Sequence, residues 1–445
     1  MPIPIKARQI LPELFAGAAV QLYEVKPSML LTPENRVALI SVSGDPAIEI
    51  GREEAGGQNV YVRQVGLALA QQGWQVDMFS RQTSPDQEAI VQHTPNCRTI
   101  RLKAGATEFI SRDRVFPHLP EFVQALLDFQ KQEGHQYQLV HSNYWLSSWV
   151  GMQLKKHQPL AQVHTYHSLG AIKYQAIDQI PPIAAKRLTV EKTCLETAER
   201  IVATSPQEQE HMRTYVSTKG KIDMIPCGTD TDRFGKVDRA AARAALGFSL
   251  DDKIVLYVGR FDPRKGIETL VRAIGQSCQR SNVKLVIGGG STPGQVDGQE
   301  RDRIESIVAE LGLQENAIFP GQLGDPKLPL YYAAADVCVV PSHYEPFGLV
   351  AIEAMASRTP VVASDVGGLQ FTVIPEVTGL LVPPKDDFAF AAAIDRILLN
   401  PDWRNQLGQT ARQRVEIAFS WQSVAIRLSQ LYTKLLDQTV QEQAA

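Results

Sequence analysis

The sequence predicts an α/β protein made of two doubly wound domains of similar size. Strand-length apolar runs alternate with segments of helical period, and this rhythm stops and then restarts around residues 226–236. Unbroken Val/Ile/Leu runs belong to parallel strands buried on both faces, with the intervening helices as covering layers. A chain of 445 residues, 44% hydrophobic and 21% charged, is long and apolar enough for two full cores.

In chain order, residues 36–43 read as a buried strand. A polar, glycine-bearing loop follows, then a helix over 58–72 with Tyr61, Val65, Ala68 and Leu69 on one face, stopped by Gly73. Further strands are expected at 74–80, 99–102, 139–141, 162–165 and 201–204, with helices near 119–133, 183–199 and 206–217. After the boundary come a strand at 253–259, a helix at 267–279 and a strand at 283–287 running into Gly288-Gly289-Gly290. Strands are expected at 318–319, 337–340 and 360–363. The amphipathic segment 421–436 has no strand after it. The expected division is 1–230 and 231–420, with a C-terminal helix over about 421–445 able to pack back on the first domain.

Lys and Arg number 45 against 48 Asp and Glu, a net charge of −3, which argues against a general nucleic-acid binder. Anionic ligands must then be caught by a few placed cations. The five cysteines are far apart with no CxxC pair, suiting reduced thiols better than disulfides or zinc. Prolines interrupt the N-terminal segment where a signal peptide needs an apolar helix, and no apolar run reaches about 18 residues. A cytoplasmic protein without a membrane segment is the expectation.

Function should sit in loops after strands, because open α/β sheets bind ligands at the carboxyl ends of their strands. The loop Glu54-Ala-Gly56-Gly57-Gln58-Asn59 opens directly into a helix; its glycines allow close backbone approach, and Gln58 can bond hydroxyls. Gly259-Arg260-Phe-Asp-Pro-Arg264-Lys265-Gly266 places Arg260 and Lys265 on a proline-stiffened loop suited to clamping a diphosphate. In Glu345-Pro-Phe347-Gly348-Leu349-Val-Ala-Ile-Glu353 a helix is expected to start near Phe347, with its free amides aimed at phosphate. Glu353 then lies about two turns into that helix, too far from Glu345 for one acid/base dyad, so the two carboxylates suit different hydroxyl-bearing parts of one ligand. Histidine-bearing segments end first-domain strands: His141-Ser-Asn-Tyr144-Trp and His164-Thr-Tyr-His167-Ser168-Leu-Gly170, followed by Lys173. No residue set suggests a metal.

Taken together, GGQN, HSNYW, HSLGAIK, GRFDPRKG and EPFGLVAIEAMA resemble the retaining GT-B glycosyltransferases that use nucleotide sugars, over about residues 36–432. Within that group, Gly57-Gln58 and 167–173 look like the sucrose-phosphate synthases, which move glucose from a nucleoside diphosphate glucose to fructose 6-phosphate. The resemblance implies two Rossmann-like domains facing across a cleft. It implies Arg260 and Lys265 on the donor diphosphate, Glu353 on the ribose, and Glu345 with the Phe347, Gly348 and Leu349 backbone on glucose and phosphate. It places His167 near the glucose O6, Gly57 and Gln58 between diphosphate and fructose, and Tyr144, Ser168, Lys173 and Arg187 on the acceptor's 6-phosphate. Family members transfer with retention on the front face, the leaving phosphate taking the acceptor's proton.

This chain departs from the sucrose-phosphate synthases at 106–112, where a lysine-rich acceptor stretch is replaced by one holding Glu108, with Arg112 as a possible substitute cation. HSNYWLSSW is also similar to the inositol-phosphate glycosyltransferases of mycothiol synthesis, an alternative with the same donor site. A sucrose-synthase-like reaction and a non-catalytic nucleotide-sugar binder are the other readings; the intact Arg260, Lys265, Glu345 and Glu353 argue against the last. The resemblance implies UDP-glucose or ADP-glucose as co-substrate, no cofactor and no essential metal. It implies a separate phosphatase as a partner, and neither nucleic acid nor membrane.

Overall fold

Two sheets, each with its own helices, account for the two halves of the sequence. The computed structural model describes residues 35–48, 56–175, 179–324 and 326–444. Residues 228–420 form one unit, and the described residues up to Cys227 join the C-terminal helix Trp421–Ala444 in the other.

The first unit's strands are β1 Arg36–Ile40, β2 Gln75–Arg81, β3 Ile90–Thr94, β4 Cys97–Leu102, β5 Leu139–Asn143, β6 Ala161–Thr165, β7 Arg200–Ala203 and β8 Ile222–Met224. They lie in the order β3-β4-β2-β1-β5-β6-β7-β8, all parallel except the β3–β4 pair. β1 sits between β2 and β5, so the chain reverses its direction of travel across the sheet there. That switch point opens a crevice beyond the strands' carboxyl ends. Its helices include α1 Gly57–Gln71, α2 Leu119–Glu133, α3 Tyr144–His157, α4 Gly170–Gln175 and α5 Ala184–Thr197. The C-terminal helix joins this unit through Trp74, whose indole N–H donates to Ser429 Oγ at 2.9 Å, and through Tyr432, bonded to His141 at 2.5 Å.

The second unit repeats the plan with β9 Lys253–Val258, β10 Val283–Gly288, β11 Ala317–Ile318, β12 Val337–Val340, β13 Val361–Ser364 and β14 Gly379–Val382. Their order is β11-β10-β9-β12-β13-β14, all parallel, with the switch point between β9 and β12. Helices α6 Ile267–Gln276, α7 Lys327–Ala334 and α8 Leu349–Ala356 flank the loops of interest. Gly289 and Gly259 pack so closely that a Cβ on Gly289 would fall 2.1 Å from the Gly259 carbonyl oxygen, which accounts for the glycine run after β10.

Several expected boundaries move. The first strand ends at Ile40 rather than Ser43, and the 267–279 helix stops at Gln276. β3 is an antiparallel edge strand with Ile90 exposed, and it lacks the apolar run that marks its buried neighbours.

Candidate active site

The functional residues gather into two half-sites, one at each switch point. In the first unit Gln58 lies in the first turn of α1, after β1, and Tyr144 directly follows the adjacent β5. Residues 49–55, including Glu54 of the glycine loop, lie outside the described residues. Gly57 is exposed at the start of α1, where Gly56 N–H donates to Asn59 Oδ1 at 3.2 Å. Gln58 is buried, and its amide nitrogen is spent on Ser41 Oγ at 3.0 Å and the Asn143 carbonyl at 3.4 Å.

Tyr144 and His167 both adopt left-handed backbone, φ 72° and 59°, which side chains bearing a Cβ seldom do and which tends to persist at functional sites. His167 shares a hydrogen bond of 2.9 Å between Nε2 and Asn143 Oδ1, and it packs edge-on to Tyr61. Asn143 Nδ2 donates to the His141 carbonyl at 3.2 Å, so its Oδ1 faces His167 as the acceptor and the imidazole carries its proton on Nε2. Burial, helped by the Arg112 charge, pushes His167 down to about 3 and keeps it neutral. Burial likewise holds His141 at about 3 and His164 well below its ordinary range.

The Tyr144 ring has the Arg187 guanidinium 5.0 Å and the Arg112 guanidinium 5.7 Å from its centre. Arg112 is exposed, on a short 3-10 turn Arg112–Arg114, and Lys173 is exposed on α4. The expectation that Arg187 reaches out to an acceptor phosphate needs correcting. Its side chain is only 2% exposed, and Nε donates to Glu191 at 2.7 Å. Its Nη1 donates to Tyr144 Oη at 3.2 Å and its Nη2 to the Ser168 carbonyl at 2.7 Å and Oγ at 3.3 Å. Arg187 therefore holds Tyr144 and Ser168 from behind. Glu191 adds a second tie, accepting from the Gly170 amide that opens α4. The sequence pattern held no sign of Asn143 or Glu191 as supports; Asn143 meets His167 and Glu191 meets the Gly170 amide from distant parts of the chain.

In the second unit the loop after β9 carries Arg260 and Lys265, and the loop after β12 carries Glu345. His343 N–H donates to the Arg264 carbonyl at 2.8 Å, zipping the two loops together. Only glycine fits at 266, where φ is 68° and a Cβ would lie 2.0 Å from the Pro341 carbonyl oxygen. This approach puts Lys265 Nζ 2.6 Å from Glu345 Oε2. Arg264 is turned onto Asp262, whereas the exposed Arg260 guanidinium makes no hydrogen bond or direct ion pair among the described residues.

Helix α8 begins at Leu349, capped by Gly348 with φ 94°, two residues later than expected from sequence. Glu353 is consequently one turn into it, not two. The amides of Phe347, Gly348 and Leu349 take no partner among the described residues, leaving donors for an anion. Glu353 accepts from the buried Tyr332 hydroxyl at 2.8 Å, a support on α7 that no sequence motif marked. Burial pushes the Glu353 carboxyl up to about 7, against the Tyr332 hydrogen bond and the Arg233 charge.

The chain as a whole is similar to known proteins. Residues 55–233 fit the family described as Glycosyltransferase Family 4, and residues 238–414 the one described as Glycosyl transferases group 1. D-inositol 3-phosphate glycosyltransferase from Corynebacterium efficiens is 35% identical over 90% of this chain and 95% of its own. The chain is a group 1 glycosyltransferase of the GT-B fold. The same relative from Saccharomonospora viridis is 36% identical over 90% of this chain and 94% of its own. Among solved structures, a sucrose-phosphate synthase from Thermosynechococcus elongatus superposes with a TM-score of 0.80 at 52% identity, covering 91% of this glycosyltransferase and 100% of that chain. Anabaena HepE, solved with UDP and glucose, shares the fold at 18% identity and a TM-score of 0.69, over 90% of this chain and 99% of its own. No helix among the described residues is long and apolar enough to cross a membrane.

Proposed function

We propose that this glycosyltransferase makes sucrose 6-phosphate, moving glucose with retention from UDP-glucose or ADP-glucose to fructose 6-phosphate. The observation that supports the acceptor class is the exposed Arg112 guanidinium 5.7 Å from the Tyr144 ring, a tyrosine held from behind by the buried Arg187. The choice of fructose as the sugar rests on the 52% likeness to a sucrose-phosphate synthase, well above the 35–36% identity to the two inositol-phosphate enzymes.

On this reading the second unit holds the donor. Arg260 and Lys265, with the amides of Phe347, Gly348 and Leu349, take the diphosphate and stabilise its charge as the C1–O bond to phosphate breaks. Glu345 takes glucose hydroxyls and Glu353 the ribose. The first unit presents the acceptor: Arg112, Tyr144, Ser168 and Lys173 hold its phosphate, Arg187 keeps two of them in place, and Gly57 and Gln58 lie toward the reacting sugar. His167, neutral and with Nδ1 as acceptor, meets the glucose O6 hydroxyl. The fructose hydroxyl attacks C1, and its proton passes to the departing phosphate oxygen. UDP-glucose or ADP-glucose is a co-substrate, with no resident cofactor assigned. The five unpaired cysteines suit a cytoplasmic setting, and the phosphorylated product calls for a separate phosphatase.

The test is an acceptor panel with each glucose donor, quantifying released nucleoside diphosphate. Fructose 6-phosphate should give sucrose 6-phosphate. Turnover confined to free fructose would indicate a sucrose-synthase-like enzyme, and turnover confined to inositol phosphate the activity that the curated relatives' names describe. Donor binding without release in any arm would leave a non-catalytic nucleotide-sugar binder.

A further inference from the structure

We propose that the Lys265–Glu345 ion pair lets the donor site distinguish a nucleoside diphosphate sugar from the bare nucleoside diphosphate, and so speeds product release. The inference rests on the donor reading above and assigns regulation to that same site. Lys265 Nζ and Glu345 Oε2 stand 2.6 Å apart, with the side chains 28% and 16% exposed. Ser342 Oγ also donates to that oxygen, at 3.5 Å. Arg264 is taken up by Asp262, and Lys265 is the cation in ion-pair contact with Glu345 among the described residues.

Lys265 is therefore already matched before any ligand arrives. A diphosphate must compete with Glu345 for the ammonium, and the displaced carboxylate is left half-buried beside a new anion. Like charges brought together in such a setting cost several kcal/mol unless something else satisfies them. A sugar on the diphosphate carries hydroxyls that can donate to the freed carboxylate. A nucleoside diphosphate without its sugar offers only more negative charge. The pair re-forms as glucose leaves, and the product loses its hold on Lys265. Arg260, which makes no direct ion pair among the described residues, attracts either ligand and does not discriminate.

The experiment is calorimetric titration of the full-length enzyme with UDP, ADP and their glucose conjugates, for wild type, Glu345→Gln and Glu345→Ala. Removing the carboxylate frees Lys265 without deleting a cation. Each variant should bind the bare nucleoside diphosphate about tenfold tighter than wild type. The preference for the conjugate over the bare diphosphate should fall by at least as much, with product inhibition rising in parallel. If both variants bind the bare diphosphate no better than wild type, the pair does not discriminate and the inference fails while the donor site stands. If the wild type binds neither nucleoside diphosphate, the donor reading itself fails. Lys265→Gln checks that the ammonium is the contested group: it should weaken both ligands, and unchanged binding of both would also overturn the inference.

Discussion

The Arg187–Glu191 pair of the first unit and the Lys265–Glu345 pair of the second are built differently. In the first unit Arg187 and Glu191 are 2% and 0% exposed, four residues apart on one helix, and the pair has further partners in Tyr144, Ser168 and Gly170. In the second, Lys265 and Glu345 come from separate loops, stay 28% and 16% exposed and have few other ties. A buried pair repays its desolvation only when its remaining hydrogen bonds are made, as here, and then it fixes geometry. A half-open pair gains little from burial and can be exchanged for a ligand. The first unit's pair is thus rigid where, on the proposed reading, an acceptor phosphate is read, and the second unit's pair is poised to change partners.

The largest effect expected from breaking this contrast lies in the first unit. Glu191→Ala would strand the Arg187 charge in the core and release the α4 amide, at a cost of about 3–5 kcal/mol in stability. Denaturant unfolding measures it directly. A loss below about 1 kcal/mol would mean that water reaches Arg187 and that the pair is no different in kind from Lys265–Glu345. The double change Arg187→Met with Glu191→Leu sharpens the point: it should recover most of the stability yet leave acceptor binding poor, because Tyr144 and Ser168 lose their support.

A smaller effect comes from protons. His141 and His167 are pushed down to about 3, and His164 lies well below its usual range. All three belong to the first unit. A histidine whose folded value is depressed is neutral in the native state but takes a proton when unfolded. Its stabilising contribution is complete above about 6.5 and is lost as pH falls below that, at about 1.4 kcal/mol per pH unit for each group. Glu353, raised to about 7 in the second unit, works in the opposite sense, gaining stability as pH falls through 7. Mild acid should therefore open the first unit before the second in hydrogen exchange. His141→Gln should flatten the fall in unfolding free energy between pH 6.5 and 5 by about one proton; an unchanged slope would show that His141 is already charged in the native enzyme.

How much of this could be read beforehand follows the range of the interactions. The two sheets were legible because their central strands are short runs of Val, Ile and Leu set between helical periods. Helix α3 was not, since YWLSSWVGMQL is buried on nearly every side and has no polar face to mark its period. The edge strand β3 and the short β8 and β14 lacked a pattern long enough to recognise. Arg260, Lys265, Glu345 and Glu353 stood out because each sits in a loop or helix start with its own local motif. Their roles toward a ligand came from family resemblance. What binds them in place did not stand out: Tyr332 meets Glu353 across 21 residues, Asn143 meets His167 across 24, and Lys265 meets Glu345 across 80. The Arg187 assignment failed for the same reason. An arginine four residues from a glutamate on a helix suggests a surface pair, and only the packing of α5 against its neighbours turns it inward.

The smallest expected effect is the one that most cleanly separates the two pairs. Glu345→Gln should change the stability of the ligand-free enzyme by less than about 1 kcal/mol, because water and the amide replace most of what a partly exposed pair contributes. For a domain of this size that is a shift in melting temperature of at most about 4 °C. A much larger loss would mean that Lys265–Glu345 is needed to hold the loops after β9 and β12 together, making it a structural tie like Arg187–Glu191. The His343–Arg264 backbone bond and the close seat of Gly266 against Pro341 already join those loops without any side-chain charge. Loop geometry and charge balance are therefore carried by different atoms in the second unit, so the charge can change partners without the loops coming apart.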